Sequence, residues 1–75
     1  MTVELMNCEK TLLDEIDCRA TTRDDVALTY AMTLCSSERD QVDWKKVNRA
    51  IASRWSFYAV DYIKRRAHKL VEEKR

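Results

Sequence analysis

Apolar residues recur along the 75-residue chain at helical spacing. Leu5, Cys8, Leu12 and Ile16 fall at i, i+3, i+7 and i+11, which lines them along one side of a helix. The pattern predicts a first helix over about residues 3–18, with Thr2 as its N-cap and Leu13 widening the stripe. Thr22 followed three residues later by Asp25 reads as a cap with an acidic first turn. It opens a second helix over about residues 23–35. In this helix Val26, Tyr30 and Leu34 take one side, with Ala27 and Ala31 beside them, while Leu28, Met32 and Cys35 take another. So broad an apolar surface predicts a central helix contacted from several directions.

Residues 36–43 are polar and read as a loop ending in Asp43, a good N-cap for a helix that starts at Trp44. The stripe of this third helix is Trp44, Val47, Ile51 and Trp55, with Lys45, Lys46 and Arg49 on the opposite side and Arg54 nearer the edge. Ser56 can cap a fourth helix from Phe57 to about Glu73, buried through Val60, Ile63, Ala67 and Leu70, with Val71 adjacent. Tyr58, Tyr62, Arg65, Arg66 and Lys69 fall at i, i+4, i+7, i+8 and i+11 and share a separate face. The fold class expected is all-α. It is a small four-helix domain in which an N-terminal helix (residues 1–20) precedes a trihelical, helix-turn-helix-like core (residues 21–75).

Composition narrows the function more than the fold. The chain has no glycine and no proline. A Gly-rich phosphate loop and a dinucleotide fingerprint are therefore excluded, and two-residue hairpins are disfavoured. No helix can end on a glycine in the left-handed region. The junction at Trp55-Ser56 must then be either a tight glycine-free corner or a bend in one continuous rod. A chain this short buries a small core and gains from a partner. The first ten residues lack the basic and apolar regions of a signal peptide, and the longest apolar runs are only a few residues. A cytoplasmic or nuclear protein with no membrane span is expected.

The three cysteines, Cys8, Cys18 and Cys35, read as reduced thiols filling small apolar sites. With His68 they lack the close pairs of a structural zinc site, so neither metal nor cofactor is expected. Asp14, Glu15 and Asp17 read as a solvated face. One histidine and no glycine-supported nucleophile turn argue against an enzyme.

Charge is distributed unevenly. Residues 1–37 hold three Lys/Arg against seven Asp/Glu, a net of −4, and residues 38–75 hold eleven against six, a net of +5. A basic half asks for an anionic partner. The segment from Trp44 to Leu70 has the layout of a bracing helix, a turn and a presenting helix. Arg65, Arg66 and Lys69 would neutralise phosphates, Tyr58 and Tyr62 would bond phosphate or pack on sugar, and Lys45, Lys46 and Arg49 would take flanking phosphates. His68, among these cations, is either a surface residue or a further phosphate contact.

Thr22-Arg23-Asp24-Asp25, Trp44, Arg54 and Ser56 near the turn, and Ile63 nineteen positions after Trp44 together resemble a Myb/SANT-like three-helix domain over about residues 21–71. The resemblance implies a trihelical fold. It also implies a ligand that is DNA, as for Myb-like domains, or a histone tail or other protein, as for SANT-like ones.

Two functions follow as expectations. One is DNA binding through the basic, tyrosine-bearing face of the last helix. The alternative is a protein-interaction adaptor or inhibitor, for example a phage or mobile-element protein that binds a host or defence complex. This alternative would present Met6 and Leu13 of the first helix to a partner or to a second copy, which leaves a homodimer open.

Overall fold

Helices two, three and four begin where the sequence supplies a cap. In the computed structural model, which describes residues 7–19 and 21–73, α1 spans Asn7–Asp14, α2 Arg23–Leu34, α3 Trp44–Arg54 and α4 Phe57–Glu73. There is no strand among the described residues. Thr22 caps α2 in a reciprocal box: its Oγ1 accepts from Asp25 N at 3.3 Å and its own N donates to Asp25 Oδ2 at 3.2 Å. Thr21 N and Oγ1 also donate to the Asp25 carboxylate. These bonds, the one from the Thr22 backbone first, hold the Asp25 carboxyl below its ordinary pKa. Asp43 caps α3 by accepting from Lys46 N at 3.2 Å. Ser56 Oγ accepts from Ala59 N at 3.3 Å at the start of α4.

Neither α2 nor α3 ends on a left-handed cap residue. Cys35 ends α2 at φ −85°, and its N–H reaches Ala31 O and Thr33 O. Trp55 ends α3 at φ −117° and ψ −82°, with its N–H closing on Ile51 O at 2.9 Å. α3 and α4 are therefore separate helices joined by a two-residue corner, not one bent rod.

The first helix departs from the expectation of a single winding to Cys18. After Asp14 it passes into a π-helical turn, Glu15–Arg19. The Arg54 guanidinium reaches this turn from the end of α3, and its Nη1 donates to Ile16 O at 2.6 Å. An outside donor on a helix carbonyl loosens the regular i→i−4 ladder, which accounts for the widened turn. The Thr2 cap and the positions of Val3, Leu5 and Met6 lie outside the described residues.

The core is built from Leu12 and Ile16 of the first helix, Val26, Ala27, Tyr30 and Ala31 of α2, and Val42 of the connecting loop. Val47 and Ile51 of α3 and Ala59, Ile63 and Ala67 of α4 complete it. Leu12, Ile16, Ile51 and Ile63 are fully enclosed. Each such side chain contributes about 1.5–3 kcal/mol. The largest interface joins α2 to α4. Ala27 and Ala31 of α2 and Ala59 and Ala67 of α4 are all buried, and small residues on both helices let the two approach closely. The two run in the same direction, since Asp24 meets Tyr62 while Ala31 and Cys35 lie beside Leu70 and Val71.

Several expected core positions prove peripheral. Ala59 takes the place of Val60 at the start of the α4 stripe, and Val60 is only half-buried. Trp44 and Trp55 are also half-buried. The Trp44 indole N–H must find an acceptor, and does so at Arg39 O (3.0 Å) in the loop, while its ring leans on Tyr30 with centroids 4.8 Å apart. Leu28 and Met32 are 51% and 61% exposed, so α2 is not covered on that second side. Cys18 and Cys35 are exposed thiols and do not fill the core. Val42, expected in a polar loop, is buried behind the short 3₁₀ turn Arg39–Gln41. Leu13 packs against the core, which ties α1 into the fold.

Candidate nucleic-acid interface

The outer side of α4 follows from what its inner side buries. With Ala59, Ile63 and Ala67 turned to the core, the positions opposite are Asp61, Lys64, Arg65, His68, Lys69 and Glu72. These six line one shallow open trough along the helix. Arg65 Nη2 lies 2.8 Å from Asp61 Oδ2, with both side chains well exposed. An exposed i,i+4 pair of this kind contributes only a few tenths of a kcal/mol, so Arg65 can exchange its carboxylate for another anion at little cost. Among the described residues, Lys64, Arg66 and Lys69 form no ion pair.

Of the expected face, Tyr58, Arg65, Arg66 and Lys69 are exposed and point outward. Tyr62 is engaged within the fold. Its hydroxyl donates to Asp24 Oδ1 at 2.7 Å, and the Arg23 guanidinium sits over its ring at 5.0 Å. The hydrogen bond to Asp24 raises the Tyr62 pKa above its ordinary value, against the smaller opposing effect of Arg66 and Arg23. Tyr62 therefore pins the start of α2 to α4 through its hydroxyl, while the residue as a whole stays 41% exposed. Lys45, Lys46 and Arg49 are exposed on α3. No hydrogen bond, ion pair or ring contact among the described residues joins them to the α4 trough. Arg54 is committed to Ile16 and lies over the Trp55 ring at 4.9 Å.

Two members of this surface escaped the sequence pattern. Lys64 was separated from the tyrosine stripe by its position on the helical wheel, yet the trough unites it with Arg65, Lys69 and His68, which the sequence already sets among these cations. Phe57 is the second. It is 83% exposed, next to Tyr58 at 85%, and the two rings open the outer side of α4 immediately after the corner. The signal for Phe57 was its spacing: it stands seven residues before Lys64 and four before Asp61, on the solvent side of the Ile63 stripe.

A second surface lies between α2 and α4. Leu28, Ala31, Met32, Cys35, Leu70 and Val71 line an apolar groove of about 280 Å³. Among the described residues no group of His, Cys, Asp or Glu is placed to hold a metal ion. No helix there is long and apolar enough to cross a membrane.

Compared with known proteins, the chain matches no family, no curated protein and no solved structure.

Proposed function

We propose that the chain is a non-enzymatic nucleic-acid-binding module that uses the outer side of α4. The observation that carries this reading is the trough itself. Lys64, Arg65 and Lys69 line it beside Asp61, His68 and Glu72, Arg66 flanks it and Tyr58 stands at its head, and among the described residues Lys64, Arg66 and Lys69 are spent on no ion pair. Such a surface holds a polyanion by neutralising phosphates and releasing counterions. α3 acts as the brace, with Lys45, Lys46 and Arg49 available to flanking phosphates. The acidic start of α2, with Asp24 and Asp25, borders the face and limits where a phosphate chain can run.

Charge reversal tests this directly. Arg66→Glu with Lys69→Glu changes two exposed side chains and should leave the helical circular dichroism and melting unchanged. Binding of the intact chain to a short labelled oligonucleotide at low salt should fall by at least about tenfold, since two phosphate contacts become repulsions. Unchanged binding would remove α4 from the interface.

A second reading, a protein-interaction module, draws on the α2–α4 groove, where Leu28 and Met32 stand half or more exposed. If two copies meet there, light scattering will give a dimer mass that Met32→Lys converts to a monomer. A monomer at all concentrations would remove that form of the reading.

A further inference from the structure

The trough on α4 has an aromatic head and a cationic body. Phe57 and Tyr58 are adjacent in sequence and more than four-fifths exposed, and neither has a hydrogen bond or ring partner among the described residues. From them the outer side of the helix runs through Asp61 to Lys64 and Arg65, then to His68 and Lys69. At 1.5 Å per residue, Phe57 to Lys69 is roughly 18 Å of track. We infer that the preferred ligand of this face is single-stranded nucleic acid, with unpaired bases stacked on Phe57 and Tyr58 and the sugar-phosphate chain lying along Lys64, Arg65, His68 and Lys69.

This inference rests on the nucleic-acid reading above and specifies its ligand. Phenylalanine can donate no hydrogen bond to a phosphate or a base edge. What an exposed Phe ring offers is a flat apolar face, and every unpaired base offers a matching one. In a duplex those base faces are already stacked on one another, and only thymine methyl groups remain for an apolar side chain in the major groove. The carboxylates also argue for a single strand. Asp61 stands on the midline of the track, Glu72 closes it one turn beyond His68, and Asp24 borders it beside Tyr62. A duplex that seats α4 in its groove sets a phosphate row on each side of the helix, so one row faces the Asp24 side. A single strand can follow the cations and avoid it. The Arg65–Asp61 pair is exposed, so a phosphate can take over Arg65 without a buried charge being stranded. The source of the strand, DNA or RNA, is left to the sugar, since stacking and phosphate contacts are common to both.

The test is a titration of the full chain at low salt with three fluorescent probes: a dT15 oligonucleotide, an rU15 oligonucleotide and a 15-base-pair duplex. Both single strands should bind at least tenfold more tightly than the duplex, and the tighter of the two identifies the natural source. Phe57→Ala and Tyr58→Ala should each weaken single-strand binding by between about 5-fold and 100-fold and leave duplex binding unchanged. Phe57→Leu keeps the apolar character and loses the ring, so it should behave like Phe57→Ala. All three variants alter exposed side chains and should melt with the parent. Equal binding of duplex and single strands, with the aromatic variants neutral, would overturn the inference and leave the nucleic-acid reading standing. Binding of none of the probes by the folded chain would overturn both.

Discussion

Arg54 is the cation that the structure takes away from ligand binding, and its loss should be felt in stability. In Arg54→Met the aliphatic stem and its packing are kept while the guanidinium is removed. Among the interactions that go with it are the 2.6 Å donation from Nη1 to Ile16 O across 38 residues of sequence and the stacking over Trp55 at 4.9 Å. A hydrogen bond from a charged group contributes about 1.5–3 kcal/mol and an exposed cation–π contact about 0.5–1 kcal/mol. Arg54 is more than a third exposed, so water screens part of both, and a net cost of about 1–2 kcal/mol is expected. In a domain of this size that lowers the melting temperature by roughly 5–15 °C, read by circular dichroism at the helical minimum. Because the bond anchors the π turn to α3, hydrogen exchange in residues 15–19 should quicken more than in α4. Arg54→Lys keeps the charge without the planar fork and should recover only part of the loss. A variant that melts within a degree or two of the parent, with unchanged exchange in the π turn, would refute the idea that Arg54 holds the first helix to the corner.

Tyr30 gives a pH prediction. Burial raises its pKa to about 12, against an ordinary value near 10. A raised pKa on an acid means that the folded state resists ionisation, so the contribution is complete below about pH 10 and is lost as pH climbs towards 12. Denaturant melts of the parent and of Tyr30→Phe should therefore converge or cross over that window, and parallel curves would count against it. The capping box gives another. Thr22→Ala removes the acceptor for Asp25 N and should cost about 1 kcal/mol, seen as fraying of α2 by exchange at residues 23–26. The Asp25 carboxyl is held below its ordinary pKa, so the box is intact above the aspartate range and opens as pH falls through it. An α2 whose protection is the same at low and neutral pH would contradict the assignment.

The parts of the fold that depend on local chemistry were legible in the chain. Thr22, Asp43 and Ser56 have short polar side chains at the ends of apolar-periodic runs, and each accepts a backbone N–H as its position predicts. The corner at Trp55 follows from the same Ser56 cap. What was not legible depends on partners distant in sequence. Nothing local marks Glu15–Arg19 as a π turn, because the donor that loosens it comes from Arg54. Leu28 and Met32 have the spacing of a second buried face, but among the described residues no element covers them, and periodicity cannot supply the missing neighbour. Tyr62 sat on the expected contact face by spacing alone, and only the arrival of Asp24 alongside shows that its hydroxyl is already used. Phe57 was passed over because it carries no charge or hydrogen-bonding group, although its spacing already set it on the solvent side of the Ile63 stripe.

The central claim, that the outer side of α4 binds nucleic acid through its cations, is tested most directly by the salt dependence of binding. A dT15 oligonucleotide titrated into the intact chain at several salt concentrations should give a straight line of log affinity against log salt. With three or four of Lys64, Arg65, Arg66 and Lys69 on phosphates, the slope should be about −2 to −3 for a single strand, and Arg66→Glu with Lys69→Glu should flatten it. A folded chain that fails to bind at the lowest salt, or a slope the double variant leaves untouched, would contradict the account.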